Sequence, residues 1–334
     1  MNRMSRPATI LALSAVAGAA ALGGAGIASA DGEPGRPGTY HLNGDAVDAA
    51  NPVGSKFEGI GADERRGLFY VSEVTGGEIH RGSVRDAQTQ EWLAGNGTDG
   101  RFTARGITVD RAGNVYVAGG PNGIGTDGTD NGRPDLWVYD KDGELLAALR
   151  APGDDAFLND VAMGPDGAAY FTDSNDARVF RVAPAADGWE ATLWADATDV
   201  IERKPGFNLG GIVLSTDRSA FVVAQGNTGR LWRFDARTGA VSEVETGGAD
   251  LVNADGLVLR GDTLTVVRNF SRSIATLRLA SDGSWARAIH QQATSPDRVL
   301  TTAKALRGRI LYVDSKFDEA VASGPYDVIT DPTR

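Results

Sequence analysis

The chain has 334 residues, 41% of them hydrophobic and 23% charged, with a net charge of −11. That length allows one large core or two domains, and the acidic balance argues against nucleic acid or an anionic membrane as a partner. Cysteine is absent, which removes disulfides, thiol chemistry and cysteine-ligated metals.

Residues 1–30 read as a Sec-type secretory signal. Arg3 and Arg6 precede the apolar run Ile10 to Ala21, and Ala28-Ser29-Ala30 supplies the small residues of a cleavage site. No later stretch reaches the roughly 18–20 apolar residues of a membrane span. The expectation is a secreted, extracellular protein. Residues 31–50 then form a leader with a ring-closing strand, and 51–334 the folded domain.

From residue 58 one pattern recurs six times. A polar or small residue opens an apolar stretch, a turn rich in Asp and Gly follows, and an aromatic-rich strand returns. The copies open at Glu58, Arg105, Asn159, Gly210, Asp255 and, more weakly, Thr302. They lie roughly 45–54 residues apart, the period of four-stranded propeller blades. The predicted fold is all-β, a six-bladed propeller with four antiparallel strands per blade.

In the first copy the predicted strands are Gly59–Ala62, Leu68–Val71, Glu78–Gly82 and Gln90–Ala94; in the third, Val161–Met163, Ala169–Thr172, Arg178–Val182 and Glu190–Trp194. Turns such as Pro165-Asp166-Gly167 suit tight hairpins, and second strands such as Phe69-Tyr70-Val71 suit a pleated surface. Trp92, Trp137, Trp194 and Trp232 fall on third or outer strands, where they fill the wedges between blades. An open ring would expose two sheet edges. The segment Thr39–Leu42 is therefore expected to add to Tyr326–Ile329 as the outermost strand of the last blade.

Between Ala118 and Leu136 an insertion rich in Gly, Asp and Asn lengthens the second blade. Asp127, Thr129, Asn131 and Gly132 resemble the front of a calcium loop, but Val138 stands where that loop needs a bidentate Glu. A surface loop is the default reading.

In a propeller the six opening residues meet at the mouth of one channel. Two carboxylates, an amide and a guanidinium would converge there. Asn208 lies two residues before Gly210 and faces the same way on a strand. The ends of the second strands add Asp173, Gln225, Asn227, Arg268, Asn269 and Lys316. Oxygen donors without His or Cys suit a hard divalent cation, calcium first, with magnesium, manganese or zinc as alternatives. The other reading pairs Glu58 with Arg105 in a water-filled channel. His41, His80 and His290 open no inner strand, so a Ser-His-Asp hydrolase or a histidine-dependent lyase lacks its base.

Glu58-Gly59, Asn159-Asp160 and Asp255-Gly256 resemble motifs of the regucalcin/gluconolactonase/LRE-like family of six-bladed propellers, over roughly 52–317. The resemblance implies a divalent metal at the channel top and hydrolysis of sugar lactones or related esters. Carried over, Glu58 is a metal ligand, Asp255 a ligand and general base, and Asn159-Asp160 lines the substrate pocket. Two positions depart. Gly210 stands where the family has a metal-binding Asn, for which Asn208 is the substitute, and Phe157 stands where it has a substrate-contacting Arg, for which Arg105 from the preceding blade can compensate. The expected set is thus Asp255 and Asp160 as catalytic groups, Arg105, Asn269 and Lys316 for the substrate, and Glu58, Asn159, Asn208 and Asp255 for the metal. The partner is a small molecule. A non-catalytic propeller that binds a small molecule or peptide is the competing reading, and a strictosidine-synthase-like propeller shares only the architecture.

Overall fold

Each repeat folds into one antiparallel four-stranded sheet, and the six sheets form a six-bladed propeller. The computed structural model describes residues 35–49 and 51–334; the expected secretory signal lies outside them. The inner strands are Phe57–Asp63, Ile107–Val109, Leu158–Met163, Leu209–Leu214, Ala254–Arg260 and Leu300–Leu306.

Every blade is covered on both faces, so its second strand is apolar along its length rather than alternating. Leu68–Glu73 and Ala220–Gln225 are buried at nearly every position. Six apolar clusters result, one between each pair of neighbouring blades. Trp137 and Trp232 are buried in two of them, and Trp92 and Trp194 pack against the same two, as their positions in the repeat predict.

Ring closure follows the expected pairing of the two segments. Thr39 pairs with Ile329, Tyr40 with Val328, His41 with Asp327 and Leu42 with Tyr326. The last blade therefore takes its outermost strand from the start of the described chain, and neither edge is left open.

Five of the inner strands carry a bulge just after their first residue, for example between Phe57 and Ile60 and between Leu300 and Ala303. This shared irregularity aligns the copies residue by residue and corrects one of them. Thr301, not Thr302, is the equivalent of Glu58, Asn159, Gly210 and Asp255.

The next residue of each blade forms a second ring: Gly59, Gly106, Asp160, Gly211, Gly256 and Thr302. Here neighbouring strands approach so closely that a Cβ on Gly59 or Gly211 would lie 2.1 Å from the carbonyl oxygen of Arg105 or Asp255. Glycine is required at such an approach. The space left at this waist is about 10 Å³. It separates an upper cavity from an apolar lower channel lined by residues such as Val109, Met163, Leu214 and Leu259.

The insertion of the second blade is held by its own side chains. Asp127 accepts from the backbone and hydroxyl of Thr129, and Asp130 accepts from Gly132 N and pairs with Arg150.

Candidate active site at the channel mouth

At three of the six blade junctions, hydroxyl groups tie the opening residues of one blade to its neighbour. Ser72 Oγ accepts from Gly59 N at 2.9 Å and donates to the Arg105 carbonyl. Thr172 Oγ1 donates to the Gly210 carbonyl at 2.7 Å, and Thr301 Oγ1 to the Glu58 carbonyl at 3.0 Å. These hydroxyls fall at the ends of strands, where nothing in the repeat distinguishes them from ordinary polar positions.

Above the waist lies a cavity of about 430 Å³ whose lining includes Glu58, Arg105, Asn159, Asn208, Gly210, Asp255 and Asn269. Residues scattered over most of the chain are thus neighbours. Glu58 accepts a hydrogen bond from the Arg105 guanidinium. That guanidinium also lies over the Phe157 ring, 4.7 Å from its centroid. Asn269 Nδ2 donates to Asp255 Oδ2 at 2.7 Å, and Asn159 Nδ2 donates to Ser174 Oγ at 2.8 Å.

Burial raises the pKa of both carboxylic acids, since removal from water disfavours the charged form. For Glu58 the nearby Arg105 charge opposes that rise. Asp255 is held well above the usual carboxylate range by burial first and then by the Glu58 charge; its bond from Asn269 opposes the rise. The two acids therefore feel one another across the channel.

Other expected residues are placed differently. Asp160 belongs to the waist, where it accepts from Val161 N at 2.8 Å and from Ile212 N at 3.2 Å. Its nearest cation is Lys304 of the lower channel, at 4.0 Å. Asn208 lines the cavity, but its Oδ1 accepts from Lys204 N, Gln225 Nε2 and Asn227 Nδ2, and its Nδ2 donates to Lys204 O. Its carboxamide is committed to the 204–208 loop. The Lys316 ammonium is 3.3 Å from both Asp314 and Glu319, while the following residue, Phe317, lines the cavity. Asp173, Gln225 and Arg268 likewise anchor loops, through Arg178, the Glu202 carbonyl and Asp250.

Position 210 is open. A Cβ there would meet nothing nearer than Asp255 O at 3.9 Å and Asn159 Oδ1 at 4.0 Å. Among the described residues no group of three or more His, Asp or Glu is arranged to hold a metal ion. The mouth instead combines two carboxylates with one amide oxygen.

The fold and this mouth define a propeller whose polar residues converge on one end of its channel. The sequence matches the SMP-30/Gluconolactonase/LRE-like region over residues 57–294, and the chain belongs to that family. No curated protein matches it in sequence. Among solved structures it is similar to a gluconolactonase from Xanthomonas campestris, at 18% identity over 83% of this chain and 86% of that one, with a TM-score of 0.57. It is also similar to regucalcin, a calcium-binding protein from Agrobacterium tumefaciens, at 17% identity over 84% and 92%, with a TM-score of 0.54. The Malassezia sympodialis allergen Mala s 1 aligns at 14% identity over 81% and 91%, with a TM-score of 0.62. Identities this low speak to the fold alone.

Proposed function

We propose that this chain is a hydrolase of lactone-type substrates, sugar lactones or related esters, that acts at the top of the propeller channel with a divalent cation, calcium first. The observation that carries the reading is the convergence of Glu58 and Asp255 with Arg105 in one cavity. The gluconolactonase and regucalcin likenesses and the family membership support it.

The donor set fits a hard cation. Glu58 Oε1, Asn159 Oδ1 and Asp255 Oδ1 accept no hydrogen bond among the described residues. These three residues, from the first, third and fifth blades, would hold the ion, with no side chain from Gly210. Bound there, such a cation supplies Lewis acidity to the lactone carbonyl.

The chain's own residues do the rest. The Arg105 guanidinium can bind the oxygen on which negative charge develops. Phe157 shields one face of that guanidinium from water. Asn269 fixes the orientation of Asp255 through Oδ2, and this carboxylate takes the proton of an attacking water. The waist blocks the lower end, so substrate enters and product leaves from above. In this reading residues 1–30 direct export, and the secreted protein begins near Asp31.

The test is acid release from a lactone panel by the purified mature chain, with and without chelator. Chelator-sensitive hydrolysis restored by calcium is expected; absence of hydrolysis across the panel overturns the proposal. One observation favours a second reading, a non-catalytic propeller that binds a small molecule: the Glu58–Arg105 pair already balances one of the two carboxylates. Ligand binding without metal or turnover would establish it.

A further inference from the structure

The upper cavity has an aromatic collar that the hydrolytic residues do not explain. Phe207, Phe270 and Phe317 line it from three separate loops. Phe207 is 54% exposed and Phe270 49% exposed, while Phe317 is half-buried. Phe157 extends the surface inward, with its ring centroid 5.6 Å from that of Phe207. Large apolar side chains that converge on a concave site mark a binding surface for apolar matter.

The loops that carry these rings are fixed. Asn227 Nδ2 donates to the carbonyls of Lys204 and Pro205, and Asn227 N donates to the Phe207 carbonyl. Phe270 N donates to Asn269 Oδ1 at 2.6 Å, and Phe317 N to Ser315 Oγ at 3.3 Å. Loop backbones held this way lose little freedom when a ligand arrives.

The polar lining points in the same direction. Five asparagines line the cavity: Asn159, Asn208, Asn227, Asn253 and Asn269. Asn208 and Asn227 spend both carboxamide N–H groups on protein acceptors, and Asn159, Asn253 and Asn269 each spend one. A polyhydroxylated ring needs several free donors and acceptors, because hydroxyls that lose water without a new partner weaken binding. Most of the carboxamide donors that would serve such hydroxyls are engaged, and the collar offers a larger apolar surface beside them.

We infer that the preferred ligand carries an apolar body about the size of one ring, lodged against Phe207, Phe270 and Phe317, with its ester or lactone group directed to Arg105 and Asp255. The assignment of that reacting group rests on the hydrolase reading above. The assignment of the apolar body does not.

The test separates the two by measuring binding without turnover. The probes are 5-phenyl-2-pyrrolidinone, the lactam counterpart of γ-phenyl-γ-butyrolactone, and D-glucono-1,5-lactam, titrated calorimetrically into the mature protein. The phenyl lactam is expected to bind at least about tenfold more tightly than the gluconolactam. Replacement of both exposed rings, Phe207→Ser with Phe270→Ser, is expected to weaken it by about tenfold or more, since burial of a ring is worth that much. Phe207→Leu with Phe270→Leu should retain most of the affinity, which separates loss of apolar surface from loss of fold. Tighter or equal binding of the gluconolactam overturns the inference, as does no binding of the phenyl lactam or an unchanged affinity in the serine variant. Ring-dependent binding of the phenyl lactam without hydrolysis of the phenyl lactone removes the hydrolase reading and leaves the ligand class standing. Hydrolysis of gluconolactone with the phenyl lactone untouched does the reverse.

Discussion

The Arg105 guanidinium lies between the Glu58 carboxylate, to which it donates a hydrogen bond, and the Phe157 ring, 4.7 Å from its centroid. The positive charge at this mouth thus comes from the second blade and rests on an aromatic ring at the start of the third. Arg105→Met leaves Glu58 buried without its partner, and the loss of one member of a buried pair costs about 3–5 kcal/mol. The variant should melt well below the parent in chelator and recover on addition of calcium. Equal melting in chelator would show that the pair carries no structural weight.

Two adjacent glycines should answer substitution in opposite ways. At position 210 a side chain enters open space, whereas at 211 a Cβ meets the Asp255 carbonyl at 2.1 Å. Gly211→Ala should lose about 1–3 kcal/mol, the usual cost of overpacking. Gly210→Asn should fold like the parent and bind calcium more tightly, since it adds an amide oxygen beside Asn159. Calorimetric titration with calcium and thermal melting of both variants decide the matter.

Ring closure should dominate global stability. Tyr40 is fully buried, its ring centroid lies 5.0 Å from that of Phe69 in the first blade, and its hydroxyl donates to the Val84 carbonyl at 3.3 Å. Tyr40→Ala should cost about 3–5 kcal/mol by analogy with other large aromatic deletions in cores. Removal of residues through Leu42 exposes the edge formed by Tyr326–Ile329, and light scattering should then report association.

Glu78 gives the fold a pH dependence of its own. Its pKa is raised to about 7 by burial and by the neighbouring Glu73, and its Oε2 has no hydrogen-bond partner. A carboxyl whose folded pKa exceeds its unfolded value makes the native state bind more protons, so stability falls as pH rises between the two values. Glu78→Gln should therefore melt above the parent at pH 8, and the advantage should vanish near pH 4. Identical melting curves for the two proteins at pH 8 would refute this assignment.

The blades and their order were legible because turn residues and opening dipeptides recur, and because both faces of each sheet are buried, which makes the second strands continuously apolar. The sixth copy was displaced by one residue for a physical reason. Thr302 occupies the position that is glycine in four other blades, and Gly256 provides the room, since a Cβ on it would lie 2.4 Å from Thr302 Oγ1. The meeting of Glu58, Arg105, Asn159 and Asp255 followed from the ring alone. What loops do with their polar groups did not. Asn208 has the right spacing to face the channel, but the bend at 204–208 draws its carboxamide onto backbone groups. Lys316 takes a left-handed conformation, φ 60°, and its ammonium pairs with Asp314 and Glu319. In the phenylalanine collar, Phe270 and Phe317 follow the second strands of the last two blades one repeat apart, whereas Phe207 and Phe157 come from loops that precede inner strands.

The most direct test compares the rate of lactone opening by Asp255→Asn with that of the parent at matched calcium. Loss of a general base predicts a fall of about 10²–10⁴-fold in a variant that remains folded. A variant that opens lactones as fast as the parent would contradict the account at its centre.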